Sequence, residues 1–95
     1  MQTSKPTIVL VDDSIAMRAF FEQVAEEADL DFHAYESAEE SLDFLNTQQP
    51  SLLFLNIIMP NKDGFTFLKE LRTHELHVDT PTVIVSSKDY AQDRT

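Results

Sequence analysis

The chain has 95 residues, of which 42% are hydrophobic, a formal net charge of −10 and no cysteine. This length corresponds to a single domain over residues 1–95. The negative charge disfavours direct binding to nucleic acid or to an anionic membrane surface, because both repel an acidic protein. The lack of cysteine excludes disulfides, thiolate nucleophiles and Cys-ligated zinc or iron–sulfur sites. Residues 1–6 are polar and carry no apolar signal core, which predicts a cytoplasmic protein.

The hydrophobic pattern predicts two strands and two helices in the first half of the chain. The run Thr7 to Val11, in which four of the five residues are β-branched, is typical of a strand buried on both faces. Apolar residues at steps of three and four then predict a helix from Ser14 to about Ala28. A short strand is expected at Phe32 to Tyr35. Ser37 and Glu40 have the spacing of a capping box, which opens a second helix.

The second half of the chain continues this alternation. Leu52 to Leu55 repeats the buried-strand pattern, and the apolar spacing that follows predicts a third helix from Gly64 to His74. A polar connection over His74 to Thr80 leads to a fourth strand at Val83 to Val85. Residues Lys88 to Thr95 are expected to begin a fourth helix. Such alternation predicts βαβ units and a parallel sheet.

Polar side chains follow three of these strands at the point where each strand ends. Asp12 and Asp13 follow the first, Asn56 the third and Ser86 the fourth. Ligands of open α/β sheets bind beyond the carboxyl ends of the strands, and two carboxylates with an amide or carbonyl oxygen suit Mg²⁺. A plainer interpretation is that Asp13 caps the following helix and Asp12 is a solvated loop residue.

The same strand ends bear on phosphoryl chemistry. The Ser86 hydroxyl could hydrogen-bond a phosphoryl oxygen, and an aspartate after the third strand could attack phosphorus to form an aspartyl phosphate. Asn56 stands at that position. Its neutral amide cannot be expected to act as such a nucleophile.

Three segments resemble, in order and spacing, the response-regulator receiver domains of two-component signalling, which are of the CheY-like kind. They are the acidic pair after the first strand, residues 56–64 and residues 81–87. The resemblance covers essentially all 95 residues. It implies a flavodoxin-like three-layer α/β/α fold with a parallel sheet in the order 2-1-3-4-5, here with four strands and an incomplete C-terminus. It also implies metal binding at Asp12, Asp13 and Asn56, and a switch hydroxyl at Ser86.

Two departures from this family shape the expected function. Asn56 stands at the phosphoacceptor position, and residues 1–95 hold no counterpart of the fifth βα unit with its lysine. We therefore expect Mg²⁺ binding to be weak or absent, because the pocket keeps two formal negative charges where a phospho-receiver has three. The expected function is a non-enzymatic signal transduction module, not phosphorylated at Asn56, that contacts a histidine kinase, a phosphotransfer protein or an output domain.

Two other functions stay open. One is a conventional Mg²⁺-dependent phospho-receiver in which asparagine was introduced at position 56. The other is a small phosphotransferase or hydrolase that uses Asp12. That class is disfavoured because it needs acids on alternate residues, whereas Asp12 and Asp13 are adjacent. If Thr95 is the terminus, the apolar fourth strand is a sheet edge, which predicts a homodimer through that strand or the C-terminal segment.

The remaining candidates are interpreted as structural. We predict that His74 and His77 are solvent-exposed, and that His33 is half-buried or at a strand edge. Gly64 is the only glycine, so neither a dinucleotide-binding turn nor a P-loop can be written. Six phenylalanines have core spacing: Phe20, Phe21, Phe44, Phe54, Phe65 and Phe67.

Overall fold

The computed structural model describes residues 5–58 and 63–85, in which strands alternate with helices. The elements are β1 (Thr7–Val11), α1 (Ile15–Glu27), β2 (Asp31–Tyr35), α2 (Ala38–Leu45), β3 (Leu52–Asn56), α3 (Gly64–Arg72), a 3₁₀ turn (Glu75–His77) and β4 (Thr82–Val85). The four strands form one parallel sheet in the order β2-β1-β3-β4. This arrangement confirms the predicted flavodoxin-like fold and its strand order as far as β4.

The sheet separates two layers of helices because β1 and β3 alternate apolar residues between its faces. One face carries Val9 and Val11 of β1 with Leu53 and Leu55 of β3. These side chains pack against α2 and α3 in the main buried cluster, whose helical members are Ala38, Phe44, Leu45, Phe67 and Leu71. The opposite face is covered by α1, where Phe21 contacts Phe54 edge-on at a ring-centroid distance of 5.0 Å.

Among the described residues, the α1 face of the sheet is less completely covered than the face under α2 and α3. An apolar cavity of about 180 Å³ lies there, lined by residues that include Phe21, Val24 and Phe54.

The prediction that all six phenylalanines belong to the core is wrong for two of them. Phe20 is 60% exposed and Phe65 is 51% exposed, since each lies on the outward side of its helix.

Side-chain caps start the first two helices. The Ser14 hydroxyl accepts a hydrogen bond from the Met17 backbone N–H at 3.2 Å, so α1 begins one residue later than its cap. The Ser37 hydroxyl accepts from the Glu40 N–H at 3.1 Å, as the capping box predicts. The Glu40 carboxylate reaches back to the N–H of Glu36, at 3.4 Å.

The connection between α3 and β4 was predicted as a polar segment with exposed histidines, and the structure buries one of these histidines. The helix ends at Arg72, and His77 is fully buried, so the expected exposure of this histidine is wrong. Its Nε2 lies 2.6 Å from the carbonyl oxygen of Leu45, and its Nδ1 lies 2.8 Å from the hydroxyl of Thr80. Both ring nitrogens thus have partners, which allows a polar ring to be buried.

Strand β4 lies at one edge of the sheet formed by the described strands. Val83 and Ile84 are 42% and 38% exposed. The expected self-association through this strand stays a prediction, and the expected fourth helix, residues 88–95, lies outside the described residues. Within residues 5–58 and 63–85, no helix has the length and apolar character needed to cross a bilayer.

Candidate functional site

The carboxyl ends of β1 and β3 bring the acidic pair and Asn56 to one point. Val11 pairs with Leu55 in the parallel register, so the residues that follow them, Asp12 and Asn56, are neighbours. Both are fully buried, whereas Asp13 is exposed. Asn56 also pairs with Val85, the last residue of β4. Ser86, the predicted switch hydroxyl, follows Val85 but lies outside the described residues.

The two oxygens of the Asp12 carboxylate are in different environments. Oδ1 accepts hydrogen bonds from the Ser14 backbone N–H at 2.9 Å and from the Asn56 side-chain amide at 3.3 Å. Oδ2 is buried and has no hydrogen-bond partner among the described residues. Burial raises the pKa of Asp12 above its ordinary value of 3.8, and the charge of Asp13 adds to this. Hydrogen bonds from Ser14 and Asn56 and the charge of Arg18 lower it, with a smaller combined effect.

The Asn56 side chain has a defined orientation. Its Oδ1 accepts from the Ile58 backbone N–H at 3.1 Å. Its Nδ2 donates toward Asp12 Oδ1 at 3.3 Å, Asp13 Oδ1 at 3.4 Å and the Ile58 carbonyl at 3.2 Å. The site residues predicted after β1 and β3 therefore lie together, with the nitrogen of the amide facing the acidic pair.

Two further residues support this arrangement, Arg18 and Gly64, and no motif in the sequence predicted either of them as a site residue. Arg18 is the fourth residue of α1. Its guanidinium donates to the Asp12 carbonyl at 2.8 Å and lies 3.9 Å from the Glu36 carboxylate. The Gly64 N–H, at the start of α3, donates to the Ile57 carbonyl at 3.0 Å. A lone cation shortly after an acidic pair was the available sequence signal for Arg18.

The site contains oxygen atoms of the type that bind Mg²⁺, but the side-chain amide of Asn56 is oriented against metal binding. Carboxylate and carbonyl oxygens are present, and the unpartnered Asp12 Oδ2 is an oxygen of the type that this ion takes. Asn56, however, turns a hydrogen-bond donor toward these oxygens. Within residues 5–58 and 63–85, no three His, Cys, Asp or Glu side chains are grouped to hold a metal ion. The side chains as arranged therefore do not fit Mg²⁺ at this point.

The buried charge of Asp12 predicts a measurable effect on stability. Asp12→Asn should raise the free energy of unfolding at pH 7 by on the order of 1 kcal/mol, because it removes a buried charge while its carbonyl oxygen can still accept from Ser14 and Asn56. A carboxyl whose pKa is raised by folding binds more protons in the folded state. Its unfavourable contribution therefore grows as the pH rises from 3.8 through the raised pKa of Asp12, and disappears at lower pH.

Urea unfolding between pH 3 and pH 8 measures this effect. The stability difference between Asp12→Asn and the unmodified chain should shrink as the pH falls. Asp79→Asn is the matched control, because Asp79 is exposed between the 3₁₀ turn and β4 and is not one of the charges that act on Asp12. A destabilising effect of Asp12→Asn at pH 7 would show that the ionised carboxylate stabilises the fold.

Comparison with known proteins identifies the chain's family. The family model of the response regulator receiver domain matches residues 8–95. The chain belongs to this family. Receiver domains of two-component response regulators are signalling modules that interact with kinases and output domains.

Individual relatives agree with the family match. The receiver chain is 33% identical over 78 residues, 82% of its length, to the DNA-binding transcriptional regulator NtrC of Klebsiella pneumoniae, of which it covers 16%. It spans between 16% and 41% of the length of the curated relatives compared.

Solved structures show the same fold. The N-terminal domain of a response regulator receiver protein from Methanoculleus marisnigri JR1 has 31% identity and a TM-score of 0.80, over 87% of this chain and 68% of that one. The chemotaxis response regulator CheY4 of Vibrio cholerae has a TM-score of 0.83 over 96% of this chain and 76% of that one. Its identity of 20% makes this a likeness of fold.

Proposed function

We propose that this receiver domain is a signalling module that is not phosphorylated at position 56 and that acts through protein–protein contacts, without enzymatic activity of its own. The observation that carries the proposal is the side chain at the end of β3. Asn56 offers a neutral amide whose oxygen already accepts from Ile58 N–H and whose nitrogen faces the acidic pair. An aspartyl phosphate requires an anionic carboxylate oxygen as the nucleophile, and the amide has none.

The proposed partners are the classes of protein that receiver domains contact: a histidine kinase, a phosphotransfer protein or an output domain, all in the cytoplasm. A net charge of −10 supports protein partners over nucleic acid, because an acidic surface repels phosphate backbones.

One experiment tests the proposal directly. Incubation with acetyl phosphate and Mg²⁺ should leave the intact mass of the unmodified chain unchanged, since position 56 lacks a nucleophile. Intact-protein mass spectrometry measures the result. A hydroxylamine-sensitive phosphoryl adduct would contradict the proposal, and its location at Asp12 or Asp13 would favour the phosphotransferase or hydrolase alternative.

Asn56→Asp is the positive control for this experiment, and it tests the second candidate function. Position 56 lies beside the acidic pair. Arg18 binds the Asp12 carbonyl, and the start of α3 is hydrogen-bonded to Ile57, the residue after position 56. These neighbours support a conventional phospho-receiver in which asparagine replaces the acceptor aspartate. If Asn56→Asp acquires one phosphoryl group at position 56 and the unmodified chain acquires none, the change at position 56 alone accounts for the difference. If neither chain reacts, the explanation that asparagine at position 56 alone prevents phosphorylation of residues 1–95 is wrong.

A further inference from the structure

Among the described residues, three oxygen atoms lie within hydrogen-bond distance of the side-chain nitrogen of Asn56. They are Asp12 Oδ1 at 3.3 Å, Asp13 Oδ1 at 3.4 Å and the carbonyl oxygen of Ile58 at 3.2 Å. Two of them belong to carboxylates and the third to the backbone, the oxygen types that ligate hard cations in proteins. A hydrogen-bond donor therefore lies among the oxygens where a cation would be attracted.

The contacts of the other amide atom hold this orientation. Asn56 Oδ1 accepts from the Ile58 N–H at 3.1 Å. Rotating the amide by half a turn would bring Oδ1 against the oxygens of Asp12 and Asp13, and Nδ2 against the Ile58 N–H. Each of these contacts would then join two acceptors or two donors, so they favour the observed orientation at both ends of the amide.

We propose that the side-chain amide of Asn56 takes the place of the divalent cation in this receiver domain and holds the acidic pair without metal. The inference rests on the proposed function and deepens it, because it assigns position 56 a second effect besides the loss of a phosphoacceptor. The amide hydrogens carry partial positive charge, which offsets part of the repulsion between the two carboxylates.

The dimensions of the site support exclusion of Mg²⁺. This ion requires oxygen ligands at 2.0–2.1 Å in near-octahedral geometry. The three oxygens lie 3.2–3.4 Å from the amide nitrogen, which occupies the space between them. An amide nitrogen is not a metal ligand while its lone pair is delocalised, so Mg²⁺ would have to displace it. Binding would then break hydrogen bonds of Asn56 that the metal-free protein keeps.

Mg²⁺ titration of three chains separates this inference from an explanation based on charge alone. If only charge matters, the unmodified chain and Asn56→Ala bind Mg²⁺ equally weakly, since both keep two negative charges, and Asn56→Asp binds more tightly. If the amide takes the place of the cation, Asn56→Ala opens the site without adding charge. It should then bind at least about tenfold more tightly than the unmodified chain, with Asn56→Asp tighter still.

Isothermal titration calorimetry with Mg²⁺ alone gives the three affinities. Asn46→Ala is the matched control, because it deletes the same amide at an exposed position after α2 and should bind as the unmodified chain does. Equal affinities for the unmodified chain and Asn56→Ala would overturn the inference.

A second measurement on the unmodified chain covers the case in which Asn56→Ala does not fold. The ¹H–¹⁵N signals of the Asn56 side-chain amide are assigned by their loss in Asn56→Asp. These signals should stay in place at millimolar Mg²⁺, and a saturable shift would overturn the inference.

The acetyl phosphate experiment keeps the two proposals distinguishable. Phosphorylation of position 56 in the unmodified chain would contradict the proposed function. An unphosphorylated chain that binds Mg²⁺ as tightly as Asn56→Ala would contradict the cation replacement alone.

Discussion

Gly64→Ala is expected to lower the free energy of unfolding by about 2–3 kcal/mol, because the added methyl group has no space. A Cβ at this position would lie 2.4 Å from the Cα of Ile57 and 2.8 Å from the carbonyl oxygen of Asn56. Both are backbone atoms, so no rotation of a side chain relieves the overlap. The start of α3 would have to move away from the end of β3, breaking the 3.0 Å hydrogen bond from Gly64 N–H to Ile57.

The sign of this prediction is opposite to that of helix propensity. Alanine favours a helix over glycine by about 1 kcal/mol, and Gly64 does not have the positive φ that would disfavour alanine. Helix propensity alone would therefore predict a stabilised Gly64→Ala chain. A destabilised Gly64→Ala therefore reports the close approach of α3 to β3. Lys69→Ala is the matched control, because it places alanine at an exposed position of the same helix and should change stability by less than about 0.5 kcal/mol.

Chemical denaturation of both variants measures the effect. A Gly64→Ala chain as stable as the Lys69→Ala chain would contradict the close approach. The Asn56 carbonyl is one of the crowded atoms, so the side-chain amide signals of Asn56 should also shift in Gly64→Ala.

His77→Ala is expected to cost about 3–4 kcal/mol of stability. The substitution leaves a cavity at a fully buried position and removes both hydrogen bonds that the ring makes. The Leu45 carbonyl can only accept, so Nε2 carries the proton that donates to it. The other ring nitrogen, Nδ1, lies 2.8 Å from the Thr80 hydroxyl oxygen. Loss of the ring thus takes a donor from the buried Leu45 carbonyl, whereas the Thr80 hydroxyl keeps its contacts with Gln49 Nε2 at 3.1 Å and the Leu76 carbonyl at 3.3 Å.

One further variant, His77→Phe, separates packing from hydrogen bonding at this position. His77→Phe keeps most of the ring volume and removes the hydrogen bonds, so a cost of about 2 kcal/mol is expected for the loss of the donor to the buried Leu45 carbonyl. His74→Ala is the matched control. Its ring is half-buried and accepts one hydrogen bond, from the Leu76 N–H at 3.1 Å, so it should cost about 1 kcal/mol. Urea unfolding measures all three, and equal costs for His77→Ala and His74→Ala would contradict the buried role of His77.

Local features of this protein could be predicted from the sequence because their causes lie within a few residues. The strand over Thr7–Val11 follows from a run rich in β-branched residues, and the start of α2 from a serine three residues before a glutamate. The neutral amide at position 56, on which the proposed function rests, is a matter of residue identity. The strand order followed from resemblance to a family.

Contacts between distant segments decided the rest. Asn56 turns its nitrogen toward Asp12, 44 residues away, and His77 is buried because it meets the Leu45 carbonyl, 32 residues away. In sequence, His77 lies in a polar segment and looks like His74, and Gly64 looks like an ordinary turn residue. The folded chain decides between buried and exposed, and between donor and acceptor, because burial of a polar group depends on partners that only tertiary packing brings within hydrogen-bond distance.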